Sequence, residues 1–168
     1  MKQGPRYYTK PRRRREGKTD YRKRLSLLKS RKIRIVVRNS LKNICVQFVE
    51  YDEVGDKILA SATSKELIKN YQWDYSTSTT PAAYLTGLLA AKRAKDSGIS
   101  EGVLDIGRRL PVKGSKVFAA LKGTLDAGIE CPHNAEKLPD EDRLLGKHLD
   151  EKITTKVADI KSKIIGGK

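Results

Sequence analysis

The 168-residue sequence predicts an α/β fold: a mixed sheet, formed by a three-stranded antiparallel meander plus one parallel strand, with helices packed on it. Three observations predict it. Between residues 33 and 62 apolar side chains recur with period two, interrupted by short polar turns, which is the pattern of strands joined by hairpins. From Thr80 the period lengthens to that of a helix rich in Ala and Gly. A short apolar run, Val103 to Ile106, follows that helix, so a crossover delivers it parallel to a strand already in the sheet.

The first strand covers Ile33 to Arg38, with Ile33, Ile35 and Val37 on one face and Arg34, Val36 and Arg38 on the other. The polar turn Asn39-Ser40-Leu41-Lys42-Asn43 leads to the second, Ile44 to Tyr51, where Ile44, Val46 and Phe48 alternate with Cys45, Gln47 and Val49. A turn over residues 52–56 precedes the third, Lys57 to Ala62. Thr63 and Glu66 have the spacing of a capping box, which predicts a short helix over 64–70. Pro81 suits the first turn of the next helix, where its missing N–H leaves no bond unmade. Leu85, Leu88 and Leu89 mark the buried stripe of that helix, Gly87, Ala90, Ala91 and Ala94 permit close packing, and Gly98 stops it. Ser115 caps a helix carrying Val117, Phe118, Leu121 and Leu125, which ends at Gly128. The order is β-β-β-α-β-α, with the short 64–70 helix as an addition.

This core spans residues 33–130. Residues 1–32 form a basic arm with a short helix over 20–30, whose apolar face is Tyr21, Leu25 and Leu28. Residues 1–20 bury almost nothing and are expected to stay disordered until a partner orders them. Residues 131–168 form a C-terminal extension with a charged helical stretch over about 140–164, docked on the core or on a neighbour.

Charge is divided unevenly among these parts. The chain carries a formal +16, and residues 1–34 hold 15 basic side chains against two acids, a surplus of 13. The rest of the chain is nearly balanced. A polycationic arm on a neutral core points to a polyanion, either nucleic acid or an acidic membrane. No apolar stretch approaches the roughly 18 residues that span a bilayer, residues 1–24 lack the apolar run of a signal peptide, and the arm lacks a bulky stripe to enter lipid. The expectation is a soluble cytoplasmic protein with no membrane partner.

Chemistry is sparse. Cys45 and Cys131 stand far apart without a CxxC partner, and Cys131-Pro132-His133 lacks a second ligand pair, so no metal or cofactor is expected. The topology approaches that of ribonuclease-H-like nucleases, which need carboxylates converging on divalent metals. The first strand offers Arg34 and Arg38 and no acid, and Asp105 alone is half a site. No enzyme is expected. Tyr71, Trp73 and Tyr75 lie in a polar loop, where they either stack on bases or plug the sheet edge.

The candidate RNA-binding residues follow from charge and placement. In the arm they are Arg6, Tyr7, Tyr8, Lys10, Arg12, Arg13, Arg14, Arg15, Lys18, Thr19, Tyr21, Arg22 and Arg24. The Arg12–Arg15 run acts either as a loose electrostatic tail or as an ordered insertion. The first hairpin adds Arg34, Arg38, Asn39, Ser40, Lys42 and Asn43; arginine favours bidentate phosphate contact and stacking. Lys113, Ser115 and Lys116 stand at a helix N-terminus, which either holds a phosphate or is an ordinary connection.

Several stretches in order resemble one family. They are Tyr21-Arg22-Lys23-Arg24-Leu25-Ser26-Leu27-Leu28, Arg34 through Ile44, Thr80-Pro81-Ala82-Ala83-Tyr84-Leu85-Thr86-Gly87-Leu88-Leu89, Val103-Leu104-Asp105-Ile106-Gly107, Lys116 through Gly123 and Pro139-Asp140-Glu141-Asp142-Arg143. They are similar to the 5S-rRNA-binding ribosomal proteins of the large subunit called L-eighteen, in their archaeal form; the eukaryotic counterpart is L-five. The resemblance implies no catalysis. It implies 5S rRNA held by the arm and one sheet surface, contact with 23S-type rRNA, and the large-subunit L-five protein of archaeal ribosomes as a neighbour. The extension beyond Gly128 resembles the archaeal and eukaryotic form. Asn43 departs from the His of many relatives, though an amide still offers a donor and an acceptor.

Overall fold

A computed structural model describes residues 4–166. Strands β1 (Arg34–Asn39), β2 (Ile44–Glu50) and β3 (Lys57–Thr63) form the antiparallel meander, and β4 (Val103–Asp105) runs parallel beside β1. The strand order is β3-β2-β1-β4, the mixed sheet the periodicity predicts. Ile35, Val37, Val46, Phe48 and Ala62 lie on one face of the sheet with no solvent exposure. That face packs against α4 (Thr80–Asp96), which has α5 (Lys116–Asp126) as its close neighbour.

Small residues set the spacing of this helix pair. A Cβ on Gly87 would stand 2.0 Å from the Ala120 carbonyl oxygen, and one on Gly123 would stand 2.1 Å from that of Tyr84. The two backbones therefore touch at both glycines. The capping box is present at α3 (Ser64–Tyr71): the Thr63 N–H donates to Glu66 Oε1 at 2.8 Å. Trp73 is buried after α3, with Tyr75 edge-on at 5.4 Å, so this aromatic loop plugs the fold and leaves Trp73 no face for a base. Cys45 and Cys131 are free, and burial pushes both thiols up.

Three elements differ from expectation. The C-terminal stretch is two helices, α6 (Glu141–Leu145) and α7 (Glu151–Gly166), because Gly146 adopts a left-handed conformation (φ 83°) that ends the first. Helix α7 places Ile153, Val157, Ile160 and Ile164 at helical spacing against the core, α4 included. In the arm, α1 (Arg12–Arg15) is a single exposed turn within a segment whose composition predicts none. Arg13 Nε donates to Thr19 Oγ1 at 2.8 Å, and Arg108 donates to the Gly17 carbonyl, so polar bonds hold this turn without a core. Helix α2 (Tyr21–Lys29), capped by Asp20, does not dock through Tyr21 and Leu25, which are 39% and 57% exposed. Leu27 and Leu28 are half-buried instead. On the same helix Arg24 reaches both oxygens of Asp56 at 2.9 and 3.0 Å.

Candidate RNA interface

The sheet face away from α4 carries Arg34, Val36 and Arg38 of β1, Gln47 and Val49 of β2 and Asp105 of β4. Helix α2 and the β2–β3 turn wall it, leaving an open groove of roughly 620 Å³ that Arg13, Lys18, Lys23 and Tyr51 also line. Strand alternation predicts Arg34 as an RNA contact on this face. It does lie on the face but is only 2% exposed, bound to Asp56 at 2.7 Å and Asp105 at 3.3 Å. A guanidinium this enclosed between two carboxylates is a structural ion, because burial of the charge is tolerable only with such partners.

The pairing extends beyond Arg34. Arg38 Nη2 lies 3.0 Å from Asp105 Oδ1, and its Nη1 donates to the Asp105 and Val37 carbonyls at 2.6 and 2.9 Å. The Gly107 N–H donates to Asp105 Oδ1 at 2.7 Å. Arg24, Asp56, Arg34, Asp105 and Arg38 thus alternate in sign across the face. Burial would raise both carboxyls, but Arg38, the Gly107 N–H and Arg34 outweigh it at Asp105, and Arg34 and Arg24 outweigh it at Asp56, so both sit below their ordinary values. Arg38 keeps 46% of its side chain exposed and is the member of this chain most open to a partner.

Beside this groove the arm, the first hairpin and the loop over 107–115 meet at one corner. The hairpin turn is rigid: the Ser40 N–H donates to the Asn43 carbonyl at 2.8 Å, and the Asn43 N–H donates to Ser40 Oγ at 3.0 Å. Thr77 donates to the Lys42 carbonyl, Arg109 to the Asn39 carbonyl and Arg108 to Gly17 of the arm. Neither residues 39–43 nor 107–116 include an acid, while they carry Lys42, Arg108, Arg109, Lys113 and Lys116. The corner is therefore a clamped cationic surface.

The remaining candidates divide by exposure. Arg6, Lys10, Arg12, Arg14, Arg15, Arg22, Lys42 and Lys113 are exposed, as are Tyr7 and Tyr8. Lys18 faces Glu16 at 2.8 Å. Asn39 Oδ1 is enclosed without a protein partner. At the start of α5, Ser115 makes no cap bond, and Lys116 donates to Ser78 Oγ at 3.2 Å, which ties it to the start of α4. His133 Nδ1 is 2.7 Å from the Cys131 carbonyl oxygen. Among the described residues no cluster of potential ligands could hold a metal ion, and no helix is long and apolar enough to cross a membrane.

Residues 5–100 match the family model described as "Ribosomal large subunit proteins 60S L5, and 50S L18". This chain belongs to that ribosomal family. A large ribosomal subunit protein uL18 of Korarchaeum cryptofilum is 58% identical over 149 residues, covering 89% of this chain and 76% of the relative. Proteins of the same name from Aeropyrum pernix and Ignicoccus hospitalis are 52% and 51% identical over the same length, covering 70% and 72% of those relatives. The match to the ribosomal family model ends before Arg108, Arg109 and Lys113, which complete the cationic corner.

Sequence reasoning missed four contributors to this surface. Arg108 and Arg109 follow Gly107 directly, and two adjacent arginines beside a Gly were a usable signal. Asp56 and Thr77 were not legible, because Asp56 finds Arg34 and Arg24 across 22 and 32 positions and Thr77 finds Lys42 across 35.

Proposed function

We propose that this chain is a structural constituent of the large ribosomal subunit that binds 5S rRNA and helps fasten it to 23S-type rRNA. The observation that carries the reading is the cationic corner, where a polycationic arm meets a hairpin turn and a loop that hold no acid and are fastened by bonds to each other. Arm cations give affinity through phosphates, and the fixed hairpin gives register and discrimination. In this reading residues 1–32 act as the RNA-binding arm, 33–130 as the scaffold, and 131–168 as an extension facing neighbouring ribosomal proteins, the archaeal L-five protein among them. It acts by binding, not catalysis: Asp105 is committed to Arg34, Arg38 and the Gly107 N–H.

The test is competition binding of 5S rRNA and an unrelated RNA of equal length to the full chain and to a chain lacking residues 1–30. The full chain prefers 5S rRNA. The truncated core stays folded and binds orders of magnitude more weakly. An arm that neutralises about six phosphates accounts for roughly 4 to 5 of the slope of log K against log salt, so truncation flattens the slope by that amount. Equal affinity of the full chain for both RNAs, or an unchanged slope after truncation, refutes the proposal.

A further inference from the structure

At the cationic corner two leucines point into solvent. Leu41 at the hairpin tip is 96% exposed and Leu110 in the 107–115 loop is 80% exposed, with Val112 at 59% beside it. Both loops are fastened at one point, since Arg109 donates to the Asn39 carbonyl: Leu110 follows one end of that bond by one residue and Leu41 the other by two. Thr77 on the Lys42 carbonyl and the Gly114 N–H on the Lys137 carbonyl (3.0 Å) brace the same loops from outside. Bulky apolar side chains on braced turns are held away from any core of their own. Lone exposed leucines are ordinary, but here they stand in two loops, 39–43 and 107–116, that carry Lys42, Arg108, Arg109 and Lys113 and no acid.

We infer that Leu41 and Leu110 are RNA contacts that pack against unstacked bases of an internal loop or bulge, while the surrounding cations hold its phosphates. The inference rests on the RNA-binding reading above and names what that site recognises. The charge decides between partners. A protein covering the leucines would need a carboxylate set against each of these cations, whereas an RNA carries a phosphate at every nucleotide and offers apolar base faces to the leucines. A continuous duplex fits poorly, because its base faces are stacked and its deep groove is closed to side chains. The recognised element therefore has bases out of the stack.

The experiment uses the full chain with Leu41→Ser, Leu110→Ser and both together, against in-vitro transcribed 5S rRNA and a perfect RNA duplex of equal length. Because both side chains are exposed, thermal unfolding stays at the wild-type temperature. Affinity of the double variant for 5S rRNA falls about tenfold or more, the scale of one leucine's burial, while affinity for the duplex is unchanged. The salt slope stays at the wild-type value, since no cation is removed; Lys42→Ala and Arg109→Ala reduce it instead. Chemical probing shows unpaired 5S nucleotides shielded by the wild type and reactive with the double variant. A double variant within twofold of wild type on 5S rRNA overturns the inference. So does one that binds RNA normally yet is lost from reconstituted large subunits, which would put a protein on the leucines. Failure of the wild type to prefer 5S rRNA refutes the proposed function itself, which keeps the two outcomes separate.

Discussion

Asp105→Ala tests whether the paired sheet face is a stability element. Asp105 has 10% side-chain exposure and joins Arg34, itself 2% exposed, to Arg38. Removing one partner of a buried pair costs about 3–5 kcal/mol, because the surviving charge remains enclosed. Arg34 retains Asp56 at 2.7 Å, and the half-exposed Arg38 can turn to water, so the expected loss is near the lower end, about 3 kcal/mol. The carboxyl also titrates. Its folded-state value lies below the ordinary one, since Arg38, the Gly107 N–H and Arg34 outweigh burial. A depressed carboxylate contributes stability that is present above its unfolded value of about 3.9 and lost as pH falls through the folded value. Wild-type stability therefore falls on acidification below about pH 4, and the variant, lacking this carboxylate, falls less steeply there. Urea unfolding followed by circular dichroism between neutral pH and about pH 3 measures both effects. A loss under about 0.5 kcal/mol, or an acid limb as steep as the wild type's, would show that Asp105 is not the hub of the face.

Two further predictions concern specificity and packing. Arg13→Ala removes one of several interchangeable arm cations and weakens 5S rRNA and an unrelated duplex alike. Arg38→Lys keeps the charge, and thus the salt slope, but loses the planar fork that spans Asp105 and any base edge, so 5S rRNA suffers more than the duplex by about 1–3 kcal/mol; equal losses on both RNAs in competition binding would reduce Arg38 to one more positive charge. Gly87→Ala gains helix propensity worth about 1 kcal/mol but drives a methyl to 2.0 Å from the Ala120 carbonyl oxygen, so the protein is destabilised by about 1–3 kcal/mol or more. An unfolding midpoint at or above the wild type's would mean that α4 and α5 can separate at no cost.

The parts of the fold legible in sequence are those where one local rule decides. Period-two alternation from Ile33 to Ala62 yields the meander, and Pro81 with the Leu85/Leu88/Leu89 stripe yields α4. Gly87 was readable as a close-approach residue and is one. The misreadings arise where a distant partner decides. Of the expected face only Leu28 is half-buried, while Tyr21 and Leu25 are exposed; Arg24 of the same helix meets Asp56, which no window of α2 includes. The break between α6 and α7 was within local reach, since Gly146 is a standard stop, but the apolar repeat on both sides masked it.

Arg34 shows most clearly why a charge count differs from a binding surface. By composition it belongs to the surplus of 13 in the first 34 residues, and by alternation it shares a face with Arg38. Yet Arg24, Arg34 and Arg38 are matched there by Asp56 and Asp105, three positive charges against two negative. That face offers an RNA about one net charge, and its share of the salt dependence should be correspondingly small. In the proposed complex, release of counterions then comes chiefly from the arm and from Lys42, Arg108, Arg109 and Lys113, whose two loops contain no acid. Truncating the arm should therefore change the salt slope steeply, whereas Arg34→Met should leave the slope intact and register as altered stability. The core's own carboxylates have already neutralised Arg34, which strand alternation alone makes a candidate contact.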